Sequence, residues 1–159
     1  QRSLVGSEMC IRDRVHKAIH IKEQEKLKGR TYNQHWVVFD KDDFPENDFN
    51  SAILLAQQNG FEVAYSNQAF EFWFLLHFNL YQGALHRSRY EKMLSALLGF
   101  AYTKKSGVSS KMFNTLFSKQ EQAINHAKTI MRQFDGNNPA QQESSTTVHL
   151  LVKELNKFL

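Results

Sequence analysis

The feature that most constrains this chain is a pair of short apolar runs separated by one amphipathic segment. "HWVVF" (35–39) and "FEVAYS" (61–66) combine β-branched and aromatic residues over strand-like lengths. Between them, "NDFNSAILLAQQNG" sets Phe49, Ala52, Ile53 and Ala56 at helical spacing. Asn47 or Asp48 can cap that helix, and Gly60 stands where a left-handed stop belongs. Two strands joined through a helix of about ten residues pair in parallel, by a right-handed crossover. The run 35–39 shows no polar alternation, which predicts a strand buried on both faces.

The flanks are helical in pattern. Residues 15–30 read as the end of a helix, with Val15, Ala18, Ile19 and Ile21 apolar and Gly29 as its stop. Downstream, helices are expected over 67–78 (capped by Asn67), 87–99 (ending at Gly99), 109–117 and 118–134. A loop over 135–145 precedes a last helix, 145–159, behind a Ser/Thr cap. The expected architecture is therefore α/β, with a strand–helix–strand–helix core at 35–78 and a mostly α-helical part at 86–159. No repeat or Pro/Gly-rich linker divides 15–159, which reads as one domain.

The opening "QRSLVGSEMCIRDR" stands apart. "EMCIRDR" looks like the translation of a common sequencing-library adapter, so residues 1–14 are set outside the fold as an artefact, Cys10 with them. The natural N-terminus is then expected to be missing. The single cysteine excludes an internal disulfide and fits a reducing, cytoplasmic setting. The longest apolar stretch, Phe72 to Phe78, is interrupted by His77 and is too short to span a bilayer, so no membrane partner is expected. A net charge of +4 is a mild hint of an anionic partner.

The first strand runs into Asp40-Lys41-Asp42-Asp43, and five acidic residues fall between positions 40 and 48 against Lys41 alone. Ligands of open α/β sheets bind at the carboxyl ends of strands. The second strand ends on Ser66-Asn67 and leads to Glu71, so Asp40, Asp42, Ser66, Asn67 and Glu71 are expected to converge. Like charges this close need a cation, a basic partner or solvent. Mg²⁺ accepts carboxylate oxygens and commonly serves phosphoryl chemistry. A solvated loop, with Asp48 as helix cap, is the plainer alternative.

Residues 86–119 hold seven Lys or Arg (Arg87, Arg89, Lys92, Lys104, Lys105, Lys111, Lys119) against Glu91. They are either a solvated helical face or a phosphate-binding surface. Tyr90, Phe100 and Tyr102 are core or base-stacking rings. His77, on an apolar face with Phe70 and Trp73, is a hydrogen-bonded core histidine or a general base. His149 lies at a helix start, on the surface or near the site. His16 and His20, at i and i+4, have no metal-ligating company. There is no phosphate-binding glycine loop, defensible Ser-His-Asp order or zinc motif.

"WVVFDKDDF", "NGFEVAYS", "SNQAFEFWFLLHF" and the closing "NPAQQESSTTVHLLVKEL" occur in an order that resembles the RloB-like family, over roughly residues 30–159. The resemblance implies a TOPRIM-like fold, related to the nuclease domain of OLD-family proteins. It also implies a link to restriction loci and abortive-infection phage defence, with an ATPase encoded nearby. The family's Mg²⁺ (or Mn²⁺) is held by a Glu after the first strand and a D-x-D after a later one. The D-x-D falls on Asp40 and Asp42, with Asp43 a further metal-ligand candidate. The family's Ser-Asn-x-x-Phe-Glu motif falls on Ser66, Asn67 and Glu71. Asp40, Asp42 and Glu71 are then the catalytic candidates, supported by Ser66, Asn67 and His77. Arg87, Arg89, Lys104, Lys105 and Lys111 are the nucleic-acid-binding candidates.

Two departures stand out. Gln68 occupies the position where the family usually has Pro. The family's first strand, with its Glu-Gly-x-x-Thr-Glu turn, is not found in 1–34. The expectation is a fragment of a metal-dependent nuclease subunit, inactive as it stands. The alternative is a non-catalytic partner-binding or sensor subunit.

Overall fold

The structure, a computed structural model, describes residues 10–104 and 109–159. The described residues fall into two compact units, 10–37 with 44–63, and 38–43 with 64–104 and 109–159.

The first unit is built on α1 (Ile11–Leu27) and α2 (Glu46–Gln58), which pack together. Ile11 and Val15 are one helical turn apart and both fully buried, as are Phe49, Ala52 and Ala56 of α2. Residues 11–14 lie within α1. Lys22 Nζ donates to the Asn59 carbonyl at 2.8 Å and lies 5.0 Å from the Phe61 ring centroid. The start of α2 also differs from expectation. Pro45, not Asn47 or Asp48, occupies the cap position, and Glu46 and Asp48 sit in the first turn, where their charge suits the helix dipole. Gly60 takes the expected positive φ of 74° just past the helix.

β1 (Trp36–Asp40) and β2 (Glu62–Ser66) form a two-stranded parallel sheet, so the protein is mixed α/β. β1 is not buried on both faces. Val37 and Phe39 are buried but Val38 is 48% exposed, because the strand's period of two turns it to the face that no described element covers. In β2, Val63 to Ser66 are all buried.

The second unit holds α3 (Glu71–Leu75), α4 (Tyr90–Leu98), α5 (Ser109–Phe117), α6 (Gln120–Met131) and α7 (Val148–Leu155), with short 3₁₀ turns at 87–89, 139–141 and 156–158. Its core includes Phe72, Leu75, Leu76, Tyr90, Leu94, Ala123, Ala127 and Ile130. The helix expected over 67–78 contracts to the five residues of α3. The reason is a polar strap, residues 142–147, that claims the backbone before it. Asn67 N donates to the Ser145 carbonyl at 2.9 Å, Thr147 N to the Tyr65 carbonyl at 2.8 Å, and Ser66 bridges Thr146 in antiparallel fashion. Asn67 is therefore no helix cap. Its Nδ2 donates to the Pro139 and Ala140 carbonyls, each at 2.9 Å. The last helix starts at Val148 for the same reason, since Ser145 to Thr147 belong to the strap. No helix among the described residues is long and apolar enough to cross a membrane.

Candidate functional site

β1 delivers Asp40 at its carboxyl end. Beyond it, Lys41 N donates to the Ser66 carbonyl at 2.9 Å and Asp42 N to the Gln68 carbonyl at 2.8 Å. These two bonds hold the acidic turn against the segment that leads into α3. Both residues of the second bond have left-handed backbones, Asp42 at φ 45° and Gln68 at φ 86°. Asp tolerates that region, whereas Gln68 is held there by its own side chain. Its Nε2 donates to Glu143 Oε1 at 2.8 Å, and its Oε1 accepts from Arg87 N at 2.7 Å.

The carboxylates are met by two cations. Arg87 Nη1 donates to Asp42 Oδ1 at 2.6 Å, and Arg87 Nη2 donates to Asp43. Glu71, only 5% exposed, accepts on Oε1 from Lys104 Nζ at 2.9 Å and from the Tyr102 hydroxyl at 3.1 Å. Asp40 is partly buried. Burial, with smaller contributions from the charges of Asp42 and Glu71, pushes its carboxyl up to about 6, against the pull of the Phe70 backbone and Lys104. Lys104 is held above its ordinary value by its bond to Glu71, helped by the charges of Asp42 and Asp40. The three carboxylates expected to converge thus share one electrostatic neighbourhood. Among the described residues, however, no group of three or more His, Cys, Asp or Glu side chains is arranged to hold a metal ion.

Ser66 and Asn67 serve the strap: Ser66 Oγ lies 3.0 Å from Thr146 Oγ1. His77 is buried, and its Nδ1 donates to the Trp73 carbonyl at 3.0 Å, leaving Nε2 as the ring's acceptor. Burial lowers its pKa, favouring the neutral ring. His149 is buried too, with its pKa lowered to about 4 by burial and then by Lys128 and Lys153. Arg89 and Lys111 are exposed, and Lys111 Nζ lies 4.1 Å from the Phe100 ring centroid. Lys105 lies outside the described residues. Tyr90 is a core ring whose hydroxyl donates to the Leu85 carbonyl. Three contributors escape sequence reasoning: Tyr102 as partner of Glu71, Gln68 as tie between Arg87 and Glu143, and Thr146 in the strap. Each carried a signal of another kind: Tyr102 as a core or stacking ring, Gln68 as an unusual residue where the resemblance leads one to expect Pro, and Thr146 as part of the closing stretch that resembles the family.

Two clefts flank the Glu71–Lys104 pair, and both residues line each of them. One, about 530 Å³, opens between the Phe70–His77 stretch and α5. The other, about 270 Å³, is lined by Asp42, Arg87, Tyr90 and Glu91 among others.

No curated protein and no solved structure matches the chain. The profile of one family, described as RloB-like protein, matches residues 7–155, a span that takes in the acidic turn, the Ser66–Glu71 segment and the strap. By that match over nearly its whole length, the chain belongs to the RloB-like family.

Proposed function

We propose that this chain is a nuclease subunit of a phage-defence (abortive-infection) system, with a TOPRIM-like core, a requirement for Mg²⁺ or Mn²⁺, and a neighbouring ATPase as partner in the cytoplasm. The observation that carries the reading is the meeting of Asp40, at the carboxyl end of β1, with Asp42 and the buried Glu71, whose charges both act on it. Carboxylates crowded at one strand end favour a divalent cation as their relief, and an all-oxygen donor set is the kind magnesium takes. The donor chemistry of Asp40, Asp42 and Glu71 fits such an ion, and these residues would hold it. In the described arrangement, Arg87 and Lys104 supply the relief instead.

A bound divalent ion would supply an activated water and stabilise charge on a phosphate oxygen. The chain's own residues do the rest. The Phe70 backbone orients Asp40, and the Tyr102 hydroxyl orients Glu71. Arg87 and Lys104, released from their carboxylates, would meet a phosphate, for which an Arg fork and a Lys point charge are suited partners. Exposed Arg89 and Lys111 extend that basic surface.

A second reading is favoured by one observation: the acidic side chains are already ion-paired, with no ready metal group among the described residues. On that reading the chain is a non-catalytic partner-binding or sensor subunit. The discriminating experiment incubates labelled DNA and RNA with the full-length protein, its ATPase and Mg²⁺ or Mn²⁺. The nuclease reading expects divalent-dependent cleavage that Asp42→Ala abolishes. Cleavage unchanged in Asp42→Ala, or absent throughout, contradicts it.

A further inference from the structure

We infer that the larger cleft beside Glu71 receives one unstacked nucleobase of a single-stranded nucleic acid. The inference deepens the nuclease reading and rests on it for the polymer; the cleft's own chemistry points to a planar, amphipathic ligand. Its volume of about 530 Å³ lies within the usual range of small-ligand sites. One wall is aromatic, with Phe70 and Phe74 edge-to-face at 5.3 Å between centroids. The other is the Phe113–Phe117 pair of α5, at 5.2 Å.

Phe113 and Phe117 are the informative residues. They stand one turn apart, line the cleft, and remain 61% and 53% exposed, while Met112 and Leu116 of the same helix are buried. The core of α5 is thus satisfied without them. Two adjacent phenyl rings left in water on a cleft wall mark a surface for a ligand with an apolar face. A purely apolar occupant does not account for the rest of the lining. Asp40, Glu71 and Lys104 stand at the cleft, Thr103 adds a hydroxyl that both donates and accepts, and Gln120, whose Oε1 accepts from Asn156 Nδ2 at 2.7 Å, adds amide N–H donors. A nucleobase needs this combination: ring faces to stack on, mixed donors and acceptors for its edge, and a cation near its phosphate. Lys104 lines this cleft and also its neighbour, which Asp42 and Arg87 border. A base seated among the phenyl rings would leave its phosphate at the carboxylate end, where the proposed chemistry takes place.

The test is binding, not cleavage. A fluorescently labelled single strand of about twelve nucleotides, within the footprint of single-strand grooves, is titrated in EDTA. The proteins are the wild type, Phe113→Ala, Phe117→Ala and the double variant, their folding checked by circular dichroism and melting temperature. A second strand of equal length carries abasic positions. The expected result is at least about five-fold weaker binding of the base-bearing strand by the double variant, the low end of one lost stacking contact. The abasic strand should bind the wild type more weakly and be indifferent to the substitutions. Equal affinity of the wild type and double variant for the base-bearing strand overturns the inference. So does equal affinity of the wild type for both strands, or no binding at all. Failure of the nuclease reading shows elsewhere, as cleavage indifferent to Asp42→Ala. Loss of the base site with Asp42-dependent cleavage intact removes this inference alone.

Discussion

Two titrating residues, the half-buried Asp40 and the buried His149, pull the pH dependence of stability in opposite directions. Asp40 has its pKa raised from 3.8 to about 6, so its charge destabilises the fold; the penalty is absent at low pH, grows as pH rises from 3.8 and is complete above about 6. His149 has its pKa lowered from 6.5 to about 4, so stability is full above 6.5 and is lost as pH falls toward 4. Between these limits the two effects offset each other, and each substitution should unmask the other. Asp40→Asn should raise the melting temperature near neutral pH, by an equivalent of roughly 1–3 kcal/mol, and make acidification more damaging. His149→Gln should give a protein that gains stability as pH is lowered through the same window. Melting curves of the three proteins across pH check both signs. At this scale the sequence is half legible. Asp40, Asp42 and Glu71 can be placed together because parallel strand topology brings strand ends to one edge. Their cationic partners cannot, since Arg87 comes from 45 residues beyond Asp42 and nothing local ties the two.

At the scale of elements, helices with clear apolar stripes and glycine stops are legible. α4 ends at Gly99, whose φ of 73° is the left-handed stop its position implies, and α5 spans the expected 109–117. α3 is not legible, because a helical pattern over 67–78 competes with hydrogen bonds that only the folded chain reveals. The strap wins at Ser66 and Asn67, where backbone pairing and buried side-chain bonds outweigh local propensity. Gln68 records the same competition. Proline would fix φ near −65°, incompatible with the 86° found here, so this chain's turn differs in backbone from one built on proline. Thr146 is the strap's central residue. Fully buried, its hydroxyl donates to the Tyr65 carbonyl at 3.1 Å, and accepts from Val148 N at 3.2 Å. Thr146→Val keeps the shape but removes the hydroxyl's bonds with Val148 N and Ser66 Oγ and one of those on the Tyr65 carbonyl, which still accepts from Thr147 N, and should cost about 1–3 kcal/mol by denaturant unfolding. A cost below about 0.5 kcal/mol would show that the strap is dispensable.

For the whole molecule, the order of strands and helices follows from sequence periodicity, and the parallel pairing of β1 and β2 follows from the helix between them. The closure of the site does not, because Thr146 meets Ser66 across 80 residues of chain. The same holds for charge. Composition gives a net +4, but Arg87 and Lys104, which composition counts as available to nucleic acid, are engaged with carboxylates. On the proposed function, those carboxylates exchange their cationic partners for a divalent ion. The most direct measurement is the melting temperature of the wild type and Asp42→Ala as Mg²⁺ or Mn²⁺ is titrated. An ion that binds only the folded state stabilises it by about 2.7 kcal/mol at roughly 100 times its Kd, a rise of several degrees for a chain this size. That rise is expected in the wild type and is lost in Asp42→Ala. A wild type indifferent to both ions, or an equal rise in Asp42→Ala, contradicts that exchange.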